Sequence, residues 1–145
     1  MKVLLVLAAL ASFSAVNGGP MELAEKILRV IRKCSRHHQL KFQDVQAALR
    51  HGQLPTSDEG KCFVTCSLEE FGLIKDKKFS VEGSYALNEM RFSNPNDLQK
   101  ANEVTKLCEK EVSGEYENVC ELGIAVANCG LKNSRSEGII SSELW

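Results

Sequence analysis

The chain has little excess charge of either sign, because 18 lysine and arginine side chains are balanced by 19 aspartate and glutamate side chains. A chain of such balanced charge has no strong attraction to nucleic acid phosphates or to an anionic membrane surface. We therefore expect no nucleic acid partner.

Motifs that support catalysis or metal binding are also missing. The sequence contains no Gly-x-Ser-x-Gly nucleophile motif and no His-Glu-x-x-His zinc motif. None of its six cysteines has the two-residue spacing that is common in zinc sites. We predict no catalytic residue, no metal site and no cofactor, so the chain is not expected to be an enzyme.

No apolar run is long enough to span a bilayer, which takes about 20 residues. The run from Val3 to Ala11 follows a charged start and is typical of a secretory signal peptide. We predict a signal peptide over residues 1–18, with cleavage after Ala15 or Gly19 as alternatives. The remaining domain, residues 19–145, is expected to be secreted into an extracellular fluid and to have no membrane span.

The mature part is predicted to be all-α, since apolar residues recur at helical spacing and no alternating strand pattern extends over a useful length. Six helices are expected, and capping residues, glycines and prolines mark their ends. The first two helices cover about 21–37 and Phe42 to Arg50. A capping box of Thr56 and Glu59 opens the third, which ends before Gly72, and Ser80 caps the fourth. The fifth extends from the Asn94-Pro95 break to Gly114, and the sixth extends from Val119 to Cys129 and is ended by Gly130.

The sixth helix contains one charged residue, Glu121, and a helix that is apolar on nearly all sides belongs in the middle of a bundle. It is therefore expected to be the most buried of the six. Residues 130–145 are predicted to form a C-terminal tail. Its apolar residues include Ile139, Ile140 and Trp145, which could fold back as a lid or pack on the surface.

Six cysteines in a secreted chain predict three disulfides, for which 15 pairings exist. Cys62 and Cys66 point to the same side of one helix, so they are not partners. Cys120 and Cys129 would lie about 13 Å apart along a helix, beyond the roughly 7 Å limit for a disulfide. Each exclusion removes three pairings and they share one, so ten pairings stay open.

The cysteine pattern resembles that of the six-cysteine insect odorant-binding and pheromone-binding proteins. Three residues separate Cys62 from Cys66, and eight separate Cys120 from Cys129. The segments Asp58-Glu59, Lys61-Cys62-Phe63 and Gly72-Leu73-Ile74 are similar to those that surround the paired cysteines in that family. The resemblance covers nearly the whole mature chain, and it implies the pairs Cys34–Cys66, Cys62–Cys120 and Cys108–Cys129.

The resemblance implies a compact bundle of about six helices around an apolar cavity, and a small hydrophobic ligand such as an odorant or pheromone. Three crosslinks favour this interpretation, because pinned helices can surround a cavity that an ordinary small bundle would fill. The resemblance also implies delivery to an odorant receptor, by a monomer or a weak homodimer. The candidate cavity walls are Val30, Val64, Leu68, Tyr85, Leu87, Met90, Val119, Val126 and, in the tail, Ile140.

Within this set, Tyr85 is the candidate for orienting an alcohol or a carbonyl through its hydroxyl group. Two other functions would use the same scaffold. One is a secreted interaction or effector protein that acts on a protein partner, and the other is a general scavenger of hydrophobic compounds. Uptake of a fluorescent apolar probe separates a carrier from an effector.

Overall fold

The computed structural model describes residues 20–40 and 53–139, and this part of the chain is all-α apart from one short hairpin. The predicted signal peptide and the predicted helix from Phe42 to Arg50 lie outside the described residues. The elements are α1 (Pro20–His37), α2 (Asp58–Glu70), β1 (Ile74–Lys75), β2 (Lys78–Phe79), α3 (Val81–Arg91), α4 (Pro95–Glu111) and α5 (Val119–Ser136). The prediction of an all-α fold is confirmed.

Side chains cap four of the five helices, as their sequences indicate. At α2 the predicted capping box is wrong by one residue, because the cap is Ser57 and not Thr56. The Ser57 hydroxyl accepts a hydrogen bond from the backbone N–H of Gly60 at 3.1 Å. With Ser57 as the cap, Gly60 occupies the third helical position, and a glycine has no side chain to complete a box. The Glu59 carboxylate lies instead 3.7 Å from His38 beyond the end of α1.

The hairpin of β1 and β2 was not predicted. Each strand has only two residues, and Ile74 pairs with Phe79 while Lys75 pairs with Lys78. Asp76 and Lys77 both have positive φ angles, of 52° and 59°, as a two-residue turn of this kind requires. Two-residue strands are too short to show an alternating pattern, so the sequence contains no usable signal for them.

The last helix is longer than the sequence indicates. Gly130 was expected to end it, but α5 continues to Ser136, so residues 131–136 are helical and not part of a tail. Gly138 lies two residues beyond this end and has a φ angle of 66°. There the Gly138 N–H donates to the Arg135 carbonyl and the Ile139 N–H donates to the Ser134 carbonyl, which is a Schellman motif. Glycine inside a helix costs only about 1 kcal/mol, and tertiary packing readily offsets that cost.

Two groups of buried apolar side chains make up the core. The α1–α2 cluster consists of Val30, Cys34, Phe63 and Val64. The α4–α5 cluster, which also includes residues from the hairpin and the C-terminal segment, consists of Ile74, Ala101, Val104, Cys108, Val112, Leu122, Val126, Cys129 and Ile139. Leu68 on α2 packs against both clusters.

Helix α5 contributes to both clusters, which explains why its sequence is apolar on nearly all sides. Leu122, Val126 and Cys129 belong to the α4–α5 cluster. Ile124 and Ala127, on another side of the same helix, pack against the α1–α2 cluster. The helix therefore lies between α2 and α4 and contacts both of them.

Helices α2 and α5 approach each other closely at Gly123. A Cβ atom on Gly123 would lie only 1.8 Å from the Thr65 hydroxyl oxygen and 2.7 Å from the Thr65 Cβ. Thr65 is 2% exposed, and its hydroxyl donates to the Lys61 carbonyl oxygen at 2.9 Å. Only glycine at position 123 permits this helix crossing.

Three disulfides connect four of the helices. Cys34–Cys66 joins α1 to α2, Cys62–Cys120 joins α2 to α5, and Cys108–Cys129 joins α4 to α5. These are the pairs that the family resemblance implies. The loops that they close overlap along the chain, so α1, α2, α5 and α4 form one covalently linked series.

Helix α3 contains no cysteine, and noncovalent contacts hold it in place. It packs against α4 and, to a lesser extent, against α1. At its contact with α4, the Ser84 hydroxyl lies 2.9 Å from the Thr105 hydroxyl, and Asn88 donates to the same Thr105 oxygen at 3.1 Å. Hydrogen bonds between polar side chains thus join α3 to α4, whereas disulfides join the other helices.

Candidate functional site

The apolar interior between the crosslinked helices is the candidate site. Five of the nine residues predicted to line a ligand cavity contribute to the two clusters. Val30 and Val64 belong to the α1–α2 cluster and Val126 to the α4–α5 cluster, while Leu68 and Val119 are half-buried and pack against the latter. The structure therefore brings together predicted wall residues from α1, α2 and α5, although these elements are distant in sequence.

The three predicted wall residues on α3 lie outside both clusters. Tyr85, Leu87 and Met90 are half-buried, and none of them belongs to either cluster. The face of α3 that meets α4 carries Ser84 and Asn88, which are 7% and 6% exposed. The ninth predicted residue, Ile140, lies outside the described residues. A role in ligand binding stays a prediction for all nine.

Several apolar residues of the interior were not selected from the sequence. Phe63 is 3% exposed and belongs to the α1–α2 cluster, and Phe71, Ile124 and Ala127 pack against that cluster. Ile74 is equally buried, in the α4–α5 cluster, because the unpredicted hairpin turns it inward. Phe63 lies on α2 four residues before Ser67, which directly precedes the predicted wall residue Leu68, so helical spacing could have pointed to it. Helical spacing could not have pointed to Ile74, which lies in a strand.

An ion pair lies beside one of the crosslinks. The Lys61 ammonium group is 2.8 Å from the Glu121 carboxylate, and both residues adjoin the Cys62–Cys120 disulfide in sequence. The hydrogen bond to Glu121 raises the pKa of Lys61 above its usual value, and the nearby negative charges act in the same direction. Lys61 therefore stays charged at neutral pH, and its ion pair with Glu121 marks the polar edge of the α2–α5 contact.

The exposed side of α1 is strongly basic. An open hollow on this side is lined by Arg29, Arg32, Lys33, Arg36 and His37. Lys33 pairs with Glu70 at 2.6 Å, and Arg29 lies 3.8 Å from Glu25. Because charged groups line this hollow, it does not match the predicted apolar ligand site.

Within residues 20–40 and 53–139, no helix is long and apolar enough to cross a membrane. In the same part of the chain, no three side chains of the types that bind metal ions come together. Helices that are linked by disulfides around apolar clusters place the chain in the class of small all-α proteins stabilised by crosslinks.

Comparison with known proteins gives the family. The PBP/GOBP family matches residues 20–133, and the chain belongs to it. The solved odorant-binding protein dmelOBP28a from Drosophila melanogaster has a similar fold, with a TM-score of 0.70 and 19% sequence identity. The match covers 82% of this chain and 98% of that one. No curated protein matches the sequence.

Proposed function

We propose that the protein is a secreted carrier that reversibly binds small hydrophobic molecules and takes them through an aqueous fluid to receptors. Odorants, pheromones and similar volatiles are the expected ligands, and sensory lymph is one such fluid. The observation that carries the proposal is the family membership together with three disulfides that link helices around two apolar clusters. Covalent links let such helices tolerate rearrangement of the side chains between them when a ligand enters.

The energetics suit a reversible carrier. A long-chain alcohol or ester buries roughly 300 Å² of apolar surface, which corresponds to about 7 to 9 kcal/mol of transfer free energy. The loss of translational and rotational freedom offsets part of this gain, so a dissociation constant on the order of micromolar is expected. A ligand held at that strength can be loaded and released.

A fluorescent apolar probe tests the proposal directly. We expect saturable binding of 1-N-phenylnaphthylamine by the oxidised protein and its displacement by volatile alcohols or esters. Leu68→Trp is expected to weaken probe binding about tenfold or more, because Leu68 contacts both clusters and the larger side chain fills space between them. Leu107→Trp is the matched control, since Leu107 is 46% exposed on α4. Thermal melts of both variants check that they are folded.

Absence of probe uptake by folded protein, or equal binding by the Leu68→Trp and Leu107→Trp variants, would contradict a carrier that uses this interior. The alternative is a secreted interaction protein that acts on a protein partner. The basic side of α1 favours that alternative, because an acidic partner surface could dock there. Such a protein would bind its partner without taking up the probe. A scavenger would take up the probe with little preference among ligands.

The C-terminal segment is proposed to act as a lid, and the structure changes how this is tested. Deleting residues 131–145 would remove helical residues of α5 and also Ile139, which is 8% exposed in the α4–α5 cluster. Deleting 140–145 alone spares both. We expect this shorter deletion to weaken probe binding several-fold with an unchanged melting temperature. Equal affinity for the full and the shortened chain would contradict the lid.

A further inference from the structure

The carrier function does not explain the basic hollow on α1. The chain as a whole has a net charge of −1, whereas residues 26–37 contain five lysine and arginine side chains and no acidic one. Four of these cations line the hollow together with His37, and all five lining residues are exposed: Arg29, Arg32, Lys33, Arg36 and His37. The chain is therefore balanced overall and strongly positive at one place on its surface.

The arginines of the hollow share one side of the helix. Arg29, Arg32 and Arg36 are three and four positions apart, so their side chains project from the same face. From the first to the last of them, this face extends about 10 Å along the helix axis. The helix dipole favours cations in the last turn, which accounts for Arg36 and His37. It does not account for Arg29 and Arg32, which lie before that turn.

Acidic neighbours neutralise this face only in part. Lys33 pairs with Glu70 at 2.6 Å, and a carboxylate lies 3.8 Å from Arg29. In the part of the chain that the structure describes, no ion pair involves Arg32 or Arg36. Each of these two guanidinium groups presents a planar fork of N–H donors that suits an oxyanion. The hollow thus offers two unpaired cations and two partly neutralised ones.

We propose that this hollow binds a sulfated polysaccharide chain. Guanidinium groups hold oxyanions through parallel N–H bonds, and sulfate has the tetrahedral oxygens of phosphate. A flexible chain with many sulfates can follow the basic face and place an oxyanion against each cation, whereas a small anion reaches only one or two of them. Because sulfated polysaccharides are extracellular, the inference rests on the secretion that is part of the proposed function. It does not depend on the carrier role.

The shape and lining of the hollow favour this partner over two other anionic ones. The planar surface of a bilayer attracts cations that project from a protein, whereas these line a hollow. An acidic protein surface needs an apolar contact at the centre of a stable interface. None of the described residues that line the hollow is apolar. A slender polyanion needs neither a flat surface nor an apolar centre.

Heparin is the probe for this site. We expect saturable binding of heparin by the oxidised protein in biolayer interferometry. The affinity should fall steeply as NaCl is raised, because binding to a polyanion releases condensed counterions. Heparin from which the sulfates have been removed keeps its sugar backbone and carboxylates. It should bind about tenfold more weakly or worse.

The double substitution Arg32→Gln with Arg36→Gln tests the unpaired cations. We expect heparin affinity to fall about tenfold or more, and the slope of log affinity against log salt to become less steep by roughly one to two. The matched control is Lys106→Gln with Lys110→Gln, which removes the same charge from two exposed positions, also four apart, on α4. This control is expected to bind heparin nearly as well as the wild-type protein.

Glu70→Gln tests the site through a gain of affinity, which a loss of folding cannot produce. The change frees Lys33 from its 2.6 Å ion pair, so heparin binding is expected to tighten about threefold. Glu109→Gln removes the same negative charge at an exposed position on α4 and should have little effect. Equal effects of the two substitutions would contradict a site that contains Lys33.

The outcomes separate this site from the carrier function. No binding of heparin by the wild-type protein, or equal binding by the two double variants, would overturn the site. Phosphatidylglycerol vesicles, single-stranded DNA and polyglutamate are compared at the same salt concentration. If any of them binds as tightly as heparin and depends on Arg32 and Arg36, the hollow serves another partner and the proposal is wrong.

Uptake of 1-N-phenylnaphthylamine is measured on the same variants, and we expect it to be unchanged in all of them. Uptake of this probe without heparin binding would overturn the polysaccharide site and leave the carrier intact. Heparin binding without uptake of the probe would overturn the carrier and support the polysaccharide site.

Discussion

Gly123→Ala is expected to lower the free energy of unfolding by about 3 kcal/mol or more, a large loss for a substitution that adds one methyl group. The added Cβ would overlap the Thr65 hydroxyl oxygen at 1.8 Å and the Thr65 Cα at 2.9 Å. Since the second contact is to backbone, a rotation of the Thr65 side chain does not relieve the overlap. Helices α2 and α5 must therefore move apart to make room for the added methyl group, and this movement disturbs the packing of both clusters against them. Urea denaturation of the oxidised protein measures the loss.

Gly130 offers a matched control on the same helix. An alanine there would have no atom within 4 Å of its Cβ, beyond the backbone of its own helix. Alanine favours the helix over glycine by about 0.5 to 1 kcal/mol, so Gly130→Ala is expected to stabilise the protein slightly. Equal effects of the two substitutions would contradict the close approach of α2 and α5. The test thus compares the effect of alanine on stability at two glycines that lie seven positions apart in one helix.

Removal of the Cys62–Cys120 disulfide is expected to have the second large effect. The two cysteines are 58 positions apart, and a crosslink that closes a loop of this length contributes about 4 kcal/mol in the chain-entropy treatment. Small domains have a total stability of about 5 to 15 kcal/mol, so the double substitution Cys62→Ala with Cys120→Ala should shift the unfolding midpoint strongly. Denaturation without reductant, with the other two disulfides verified by mass spectrometry, measures this shift.

The adjacent ion pair provides the control for the disulfide. Lys61→Ala removes the 2.8 Å contact to Glu121 between the same two helices. Partly exposed ion pairs are screened by solvent and salt, so this change should destabilise the protein far less than the loss of the disulfide. If both variants lose the same stability, the crosslink does not reduce the entropy of the unfolded chain by the expected amount. The assumption that its loop acts independently of the other two interlocked loops would then be wrong.

Much of the architecture could be predicted because it depends on local patterns. Ser80 and the Asn94-Pro95 break mark helix starts through hydrogen bonds that a few neighbouring residues determine. The apolar sides of α5 were visible in its sequence, and the structure shows that two different clusters use them. The long helices were therefore predictable, although their exact ends were less so.

The errors arose where a distant part of the chain changes a local preference. Gly130 is a plausible helix end, but packing of α5 between α2 and α4 carries the helix on to Ser136. Ile139 was predicted either to fold back or to pack on the surface, and the structure places it in the α4–α5 cluster. Thr56 could serve as a cap as well as Ser57, and only the three-dimensional position of the helix start distinguished them.

By itself, the sequence determined the all-α class, most helix positions and the presence of three crosslinks, because helical periodicity, capping and cysteine count depend on residues near one another. Geometry along single helices left ten disulfide pairings open, and resemblance to a family selected one. Only the tertiary structure decided where α2 and α5 touch, which residues form the two clusters, and that Ser84, Asn88 and Thr105 meet between α3 and α4. Those features depend on contacts between elements far apart in the chain, and no local pattern specifies such contacts.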